Sequence, residues 1–250
     1  MKYALTILIF IFCLPVFSQV GKRKVPSYFG FVVRPVFPTK FIGSPIASGS
    51  LDGFNTETSQ KMGFAFGGTV RVGLTKLVAL ETGINFTQRN FDITMSYPDS
   101  NSYDSNTMKF VEYDIPLNAL FYIKLTDQWF MNASMGFAIT YKPTDVAVYN
   151  TPGGYHTFTH FGVRKNSAGI DANANLGFEF RTEKSGIFYL GGSGRVPFAQ
   201  LFDISAHYKY QGNITVIEYP VDGSFLALDF KYFFPDIKNK GPQFNNGPIE

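Results

Sequence analysis

The residues best placed to do chemistry in this chain are carboxylates at alternate positions. Glu81, Glu112 and Asp114 stand in stretches where every second residue is apolar, so each shares a face of its strand with other polar groups. Two carboxylates held close could act as general acid and base. Ion pairing is the competing and favoured reading: a buried charge must be paired, and Arg71, Arg89 and Arg195 are available on equivalent faces. The expectation is one internal charge network of Arg34, Arg71, Glu81, Arg89, Glu112, Asp114, Asp171, Glu179, Arg195 and Asp229, with no catalytic pair.

Other constellations are weaker. His156 and His160 have a spacing that binds zinc when it falls on a helix. Here Pro152-Gly153-Gly154 precede them and Thr and Phe intervene, which reads as loop or strand extension. Asp99 to Asp104 hints at calcium but lacks the Gly at position six and the later Glu of an EF-hand loop, and reads as a solvated loop. No Ser-His-Asp order, phosphate loop or paired metal motif is present, and His207 has no evident partner. Neither enzyme activity, metal nor cofactor is expected.

The elements that must position these residues are strands. The chain has 250 residues, 16% of them charged, against roughly 25% in a typical soluble domain. With 28 Phe, 14 Tyr and 24 Gly, it is too aromatic for a disordered chain and poorly suited to helix. A net charge of +3 implies no nucleic-acid partner. Lys2, the apolar run Ala4–Phe17 and the small Ser18 read as a signal peptide over residues 1–18. The single cysteine, Cys13, lies inside it behind Phe10-Ile11-Phe12, which do not fit a lipoprotein signal, so the mature chain has no disulfide.

Period-two alternation then recurs eight times: Tyr28–Phe37, Lys61–Leu74, Leu77–Asn90, Phe110–Leu125, Trp129–Lys142, Ala168–Arg181, Ile187 to about Tyr210, and Ser224–Phe234. In Lys61–Leu74, for example, Met62, Phe64, Phe66, Val70, Val72 and Leu74 oppose Gly63, Ala65, Thr69 and Arg71. Short connections alternate with long polar ones at 38–60, 93–109, 143–167 and 211–223. That is the pattern of an all-β, eight-stranded antiparallel up-and-down transmembrane β-barrel, with short periplasmic turns, long extracellular loops and both termini periplasmic. A Lys or Arg facing lipid costs roughly 2–4 kcal/mol at mid-membrane, so the charged faces must line the lumen and the oily faces meet outer-membrane lipid. A soluble lipocalin-like barrel, oily face inward and binding an apolar ligand, is the alternative, because alternation alone does not distinguish the two. Pro35, Pro116 and Pro197 are expected to mark bulges. The apolar parity also slips near Asn90, where Phe91, Ile93 and Met95 are odd-numbered whereas Val78 to Phe86 are even; a bulge or the exit from the membrane would explain it. The barrel domain spans 19–234, followed by a flexible periplasmic tail at 235–250, poor in apolar anchors.

Val111-Glu112-Tyr113-Asp114-Ile115-Pro116-Leu117 resembles the acidic-Ile-Pro-Leu strand of small Bacteroidota-type outer-membrane β-barrel proteins. Gly83-Ile84-Asn85-Phe86-Thr87-Gln88-Arg89-Asn90 is similar to their preceding strand, especially that of PorT-type barrels. The resemblance implies an outer-membrane barrel, and in its narrower form an accessory role in type IX protein secretion. The broader reading is a structural or interaction barrel that meets the outer-membrane assembly machinery during insertion and protein partners through its four long loops.

Overall fold

In the computed structural model, alternation of bulky apolar with small or polar side chains yields extended chain almost throughout, as pleated geometry favours. The structure describes residues 27–75, 77–149, 156–182 and 184–235. The expected signal segment and all but the first residue of the expected tail lie outside them. The strands are β1 (Ser27–Pro38), β2 (Ile46–Leu51), β3 (Phe54–Gly73), β4 (Val78–Tyr97), β5 (Ser102–Lys124), β6 (Trp129–Tyr141), β7 (Val146–Tyr149), β8 (His156–Val163), β9 (Ala168–Arg181), β10 (Ile187–Pro197), β11 (Phe202–Tyr210), β12 (Asn213–Val221) and β13 (Phe225–Phe233). No described helix is long and apolar enough to cross a membrane.

All described pairings are antiparallel. Neighbours run β1-β13-β10-β9-β6-β5-β4-β3, and β1 pairs on its other side with β3. Phe31, for instance, lies between Tyr232 and Gly68. Eight strands therefore form a ring, which leaves no unpaired backbone edge along its wall. β2 pairs with the distal part of β3 outside this ring, and β12-β11-β8-β7 form a second sheet.

The two parts of the molecule have opposite polarity. In the ring, Phe66, Ile84, Ile115, Phe137, Leu176, Leu190 and Phe230 point outward and are about half exposed or more, while charged and amide side chains point inward and are buried. Beyond the ring, β3, β4 and β5 continue and face the second sheet. There the inward side chains are apolar: Phe54, Phe91, Ile93, Met95, Met108 and Phe110 pack against Phe158, Phe202, Ile204, Tyr208, Ile217 and Tyr219. Phe110 stacks on Phe202 at 4.4 Å between centroids and Tyr97 on Tyr208 at 4.8 Å. This second storey is a β-structured cap with an ordinary hydrophobic core, set on a barrel with an inverted one.

Four expectations are corrected. The long connections are not plain polar loops: β2, β7, β8, β12 and the ends of β3, β4 and β5 occupy most of them. The seventh stretch is two strands, β10 and β11, in different sheets. The change of apolar parity near Asn90 marks no bulge in β4, since its odd-numbered residues face inward from Ala79 to Met95; of the two explanations, the bulge falls away and a change of medium along the strand is left. The described register shift instead lies between Lys61 and Phe64 of β3. None falls at the three prolines: pairing around Pro35 and Pro116 resumes in the same register, and Pro197 ends β10. Each proline removes one N–H donor, which interrupts a ladder without adding a residue.

Candidate functional site

The barrel interior is the densest collection of chemical groups in the molecule. β1, β3, β4, β5, β9, β10 and β13 bring their inward residues to the axis. Five arginines (Arg34, Arg71, Arg89, Arg181, Arg195), Lys231 and, at the top, Lys142 meet Glu81, Glu112, Asp114, Asp171, Glu179 and Asp229, seven cations against six carboxylates. All ten residues expected in the network lie there.

The groups fall into three levels. Nearest the short turns, Arg71 bridges Glu81 at 2.9 Å and Glu179 at 2.5 Å. Lys231 donates to the other oxygen of Glu81. Glu179 also accepts from Asn132 Nδ2 at 2.6 Å and Arg181 Nε at 3.0 Å. The guanidinium groups lie on aromatic faces, Arg71 on Phe233 at 4.1 Å and Arg181 on Phe130 at 4.0 Å, an arrangement favourable for a planar cation. At the middle level Arg34 Nε is 2.8 Å from Asp229, which accepts from Ser193 Oγ at 2.9 Å and from Asn175. Tyr189 donates to Asn175 and lies over Gly177 and Gly191, where a Cβ would fall 2.4 and 2.1 Å from its hydroxyl.

At the upper level Arg195 Nη2 donates to Asp114 at 2.9 Å, and Asn85 to the same oxygen at 2.8 Å. Arg89 lies 3.2 Å from Glu112 and 4.0 Å from Asp171. It also donates to the Gly223 carbonyl and covers the Phe225 ring. Lys142 Nζ donates to the Leu201 carbonyl at 3.2 Å. These contacts tie the top of the lumen to the floor of the cap. The space between the middle and upper levels is a void of about 20 Å³, room for roughly one water.

Chemically, Glu112 and Asp114 each hold an arginine, so they do not form a free carboxylate pair. Arg181 and Lys231, which the same alternation as for Glu179 and Asp229 puts on the lumen face, join the ten in ion pairs with Glu179 and Glu81. His156 and His160 share one face of β8, but a strand sets them about 13 Å apart, too far for one ion. His156 Nδ1 is 2.6 Å from the Tyr208 hydroxyl. His160 is wholly buried in the cap, and burial lowers its pKa against the opposing pull of Asp104. Asp104 is itself buried rather than solvated, while Pro98–Ser100 form a 3-10 turn at the hairpin tip. His207 lies 3.0 Å from Ser205 Oγ. Among the described residues no group of three or more His, Cys, Asp or Glu is arranged to hold a metal.

An antiparallel ring with an apolar exterior and a charge-filled interior defines the class: an all-β barrel of outer-membrane type. The chain is matched over residues 28–210 by the outer membrane protein beta-barrel domain family, and it belongs to that family. The outer membrane protein OprG from Pseudomonas aeruginosa shares the fold, with a TM-score of 0.51 at 13% identity over 86% of this chain and 98% of that one. The beta domain of the Bordetella autotransporter Brka aligns over 84% of this chain and 98% of that one, with a TM-score of 0.33 and 10% identity. No curated protein matches the sequence. The family places the protein in the outer membrane. The lipocalin-like alternative, oily face inward, describes only the cap.

Proposed function

We propose that this protein is an eight-stranded up-and-down outer-membrane barrel with a plugged lumen, serving as a structural and interaction protein through a rigid cap that faces the cell exterior. The observation that carries this reading is the reversal of polarity between storeys. Outward side chains are apolar along the ring, whereas on the cap the outer face of β3, β4 and β5 carries Asn55, Glu57, Asp92, Thr94, Ser96, Ser105 and Thr107, with Val163, Ile214 and Val216 exposed on the other cap strands, so the ring suits lipid and this cap face suits water. Three short connections lie at the far end of the ring, as periplasmic turns do, and both ends of the described chain lie at that end. In this reading residues 1–18 are a cleaved signal peptide, and the segment after Phe233 is periplasmic. The buried, ion-paired side chains that fill the lumen favour neither a pore nor an enzyme. Partners would meet the cap strands contributed by 38–60, 93–109, 143–167 and 211–223.

Two experiments test this. Tyr103, exposed near the cap tip, replaced by Cys should react with a membrane-impermeant maleimide on intact cells; reaction only after outer-membrane permeabilisation would reverse the orientation. The purified protein in planar bilayers should show no steady ion-conducting openings, and such openings would remove the plugged-lumen reading. The likeness of Val111–Leu117 to PorT-type strands supports a second, narrower reading, an accessory component of type IX secretion. Deletion of the gene followed by an assay of secreted cargo tests it: unchanged secretion excludes that role.

A further inference from the structure

The outer face of β2, β3, β4 and β5 passes through three chemistries from ring to cap tip, and paired residues fix the order. Along the lipid-facing part, Phe66 pairs with Phe86 and Phe86 with Tyr113. With Phe64 these form a continuous aromatic patch, with Phe66–Phe86 centroids 5.1 Å apart and Phe86–Tyr113 5.7 Å. Just beyond it, at the level where the interior turns from polar to apolar, Lys61, Asn90 and Lys109 stand side by side on three strands. Both lysines point outward, and two strand spacings put their Cα atoms about 10 Å apart. Lys61 is 3.4 Å from Asp92, whereas Lys109 has no ion pair among the described residues.

Further up come hydroxyl and amide groups. One level sets Ser48, Glu57, Thr94 and Ser105 together; another sets Ser50, Asn55, Ser96 and Tyr103 together. All of them but Ser105 line an open concavity of about 390 Å³, in which Tyr103 is 68% exposed.

We propose that this face docks one phosphate-bearing glycolipid of the surrounding leaflet. Acyl chains would lie on the Phe64–Phe66–Phe86 patch. The phosphate would sit between Lys61 and Lys109, where charge-assisted hydrogen bonds are strongest in the low-dielectric interface. Sugar hydroxyls would meet the Ser, Thr and Asn side chains, with a ring face against Tyr103. The order apolar, cationic, hydroxyl-rich is the order in which such a lipid presents acyl chain, phosphate and sugar. Asp92 offsets part of the Lys61 charge, which makes Lys109 the leading contact. The assignment to the outer leaflet rests on the orientation given above; the chemistry of the face does not.

Native mass spectrometry of the full-length protein in mild detergent tests the site with three probes: diphosphorylated lipid A, the same lipid without phosphates, and inorganic phosphate. The expected result is one bound phosphorylated lipid per barrel. Lys61→Gln with Lys109→Gln should weaken binding roughly 10-fold or more, on the scale of two charge-assisted contacts. Lys124→Gln, at the opposite end of β5, should bind as the parent does. Heat-modifiable migration on gels confirms that each variant is folded. Equal binding of dephosphorylated lipid, equal binding by the double variant, or full competition by inorganic phosphate would each overturn the proposal. Because binding is measured in detergent, its failure overturns the docking site alone, whereas labelling of Tyr103→Cys only after outer-membrane permeabilisation overturns the orientation alone.

Discussion

Glu179 is the keystone of the lower lumen, and replacing it by Gln tests whether the charge network holds the barrel together. The carboxylate accepts from Arg71 at 2.5 Å, Asn132 at 2.6 Å and Arg181 at 3.0 Å. Gln keeps the shape and one acceptor, but turns the other oxygen into a donor that faces donors. Arg71 retains Glu81, whereas Glu179 is the only carboxylate within 4 Å of Arg181 among the described residues. The buried cation left behind sets the cost. Removing one partner of a buried pair costs about 3–5 kcal/mol, and the retained acceptor places Glu179→Gln near the lower figure. That is roughly two orders of magnitude in the folding equilibrium.

Reversible guanidinium unfolding in phosphocholine vesicles would measure it. Trp129, the single tryptophan, sits near the short-turn end against Phe180 at 5.0 Å and reports insertion by its emission. Adding Arg181→Met removes the stranded charge and keeps an unbranched side chain over Phe130. The double variant should therefore recover more than about 1.5 kcal/mol relative to the sum of the single losses, within the usual range of contact coupling. Simple additivity of the two penalties would refute the view that Arg181 is stabilised through Glu179 rather than by its aromatic neighbours alone.

Two further outcomes are expected. Ile84→Arg, facing lipid, should cost about 2–4 kcal/mol near mid-membrane, while Thr94→Arg on the same face of β4 should stay within about 0.5 kcal/mol as an exposed cap substitution; comparable losses in vesicle unfolding would deny the change of medium between them. Burial lowers the His160 pKa below the usual 6.5, so the unfolded cap binds more protons than the folded one as pH falls from 6.5 to the folded value. Cap stability, followed by limited proteolysis, should be complete above pH 6.5, decline through that interval and level off below it, and His160→Gln should flatten the decline; a decline unchanged in that variant would assign it to other groups.

How much of this was legible in the sequence depended on which side of each strand met which medium. Alternation located the ring strands and, because charge on lipid is costly, sorted their faces correctly: Phe66, Ile84 and Phe230 outward, Arg71, Glu81 and Asp229 inward. The same rule misread the cap. Parity reports that two faces differ, not which one is buried, and a single strand can cross from lipid to water. In β4 the odd face carries Glu81, Asn85, Thr87 and Arg89 and then, without any change of register, Phe91, Ile93 and Met95. Read with one medium in mind, that continuity looks like a slipped phase. The cap strands were hidden for a related reason. Their inward apolar residues, such as Phe158, Ile204 and Ile217, come from segments far apart in sequence, and each alternates with Thr, Ser or Glu in a stretch too polar to stand out alone. Their burial becomes favourable only when the ring brings β3, β4 and β5 alongside. The ring, legible locally, is the template on which the locally illegible cap acquires its core.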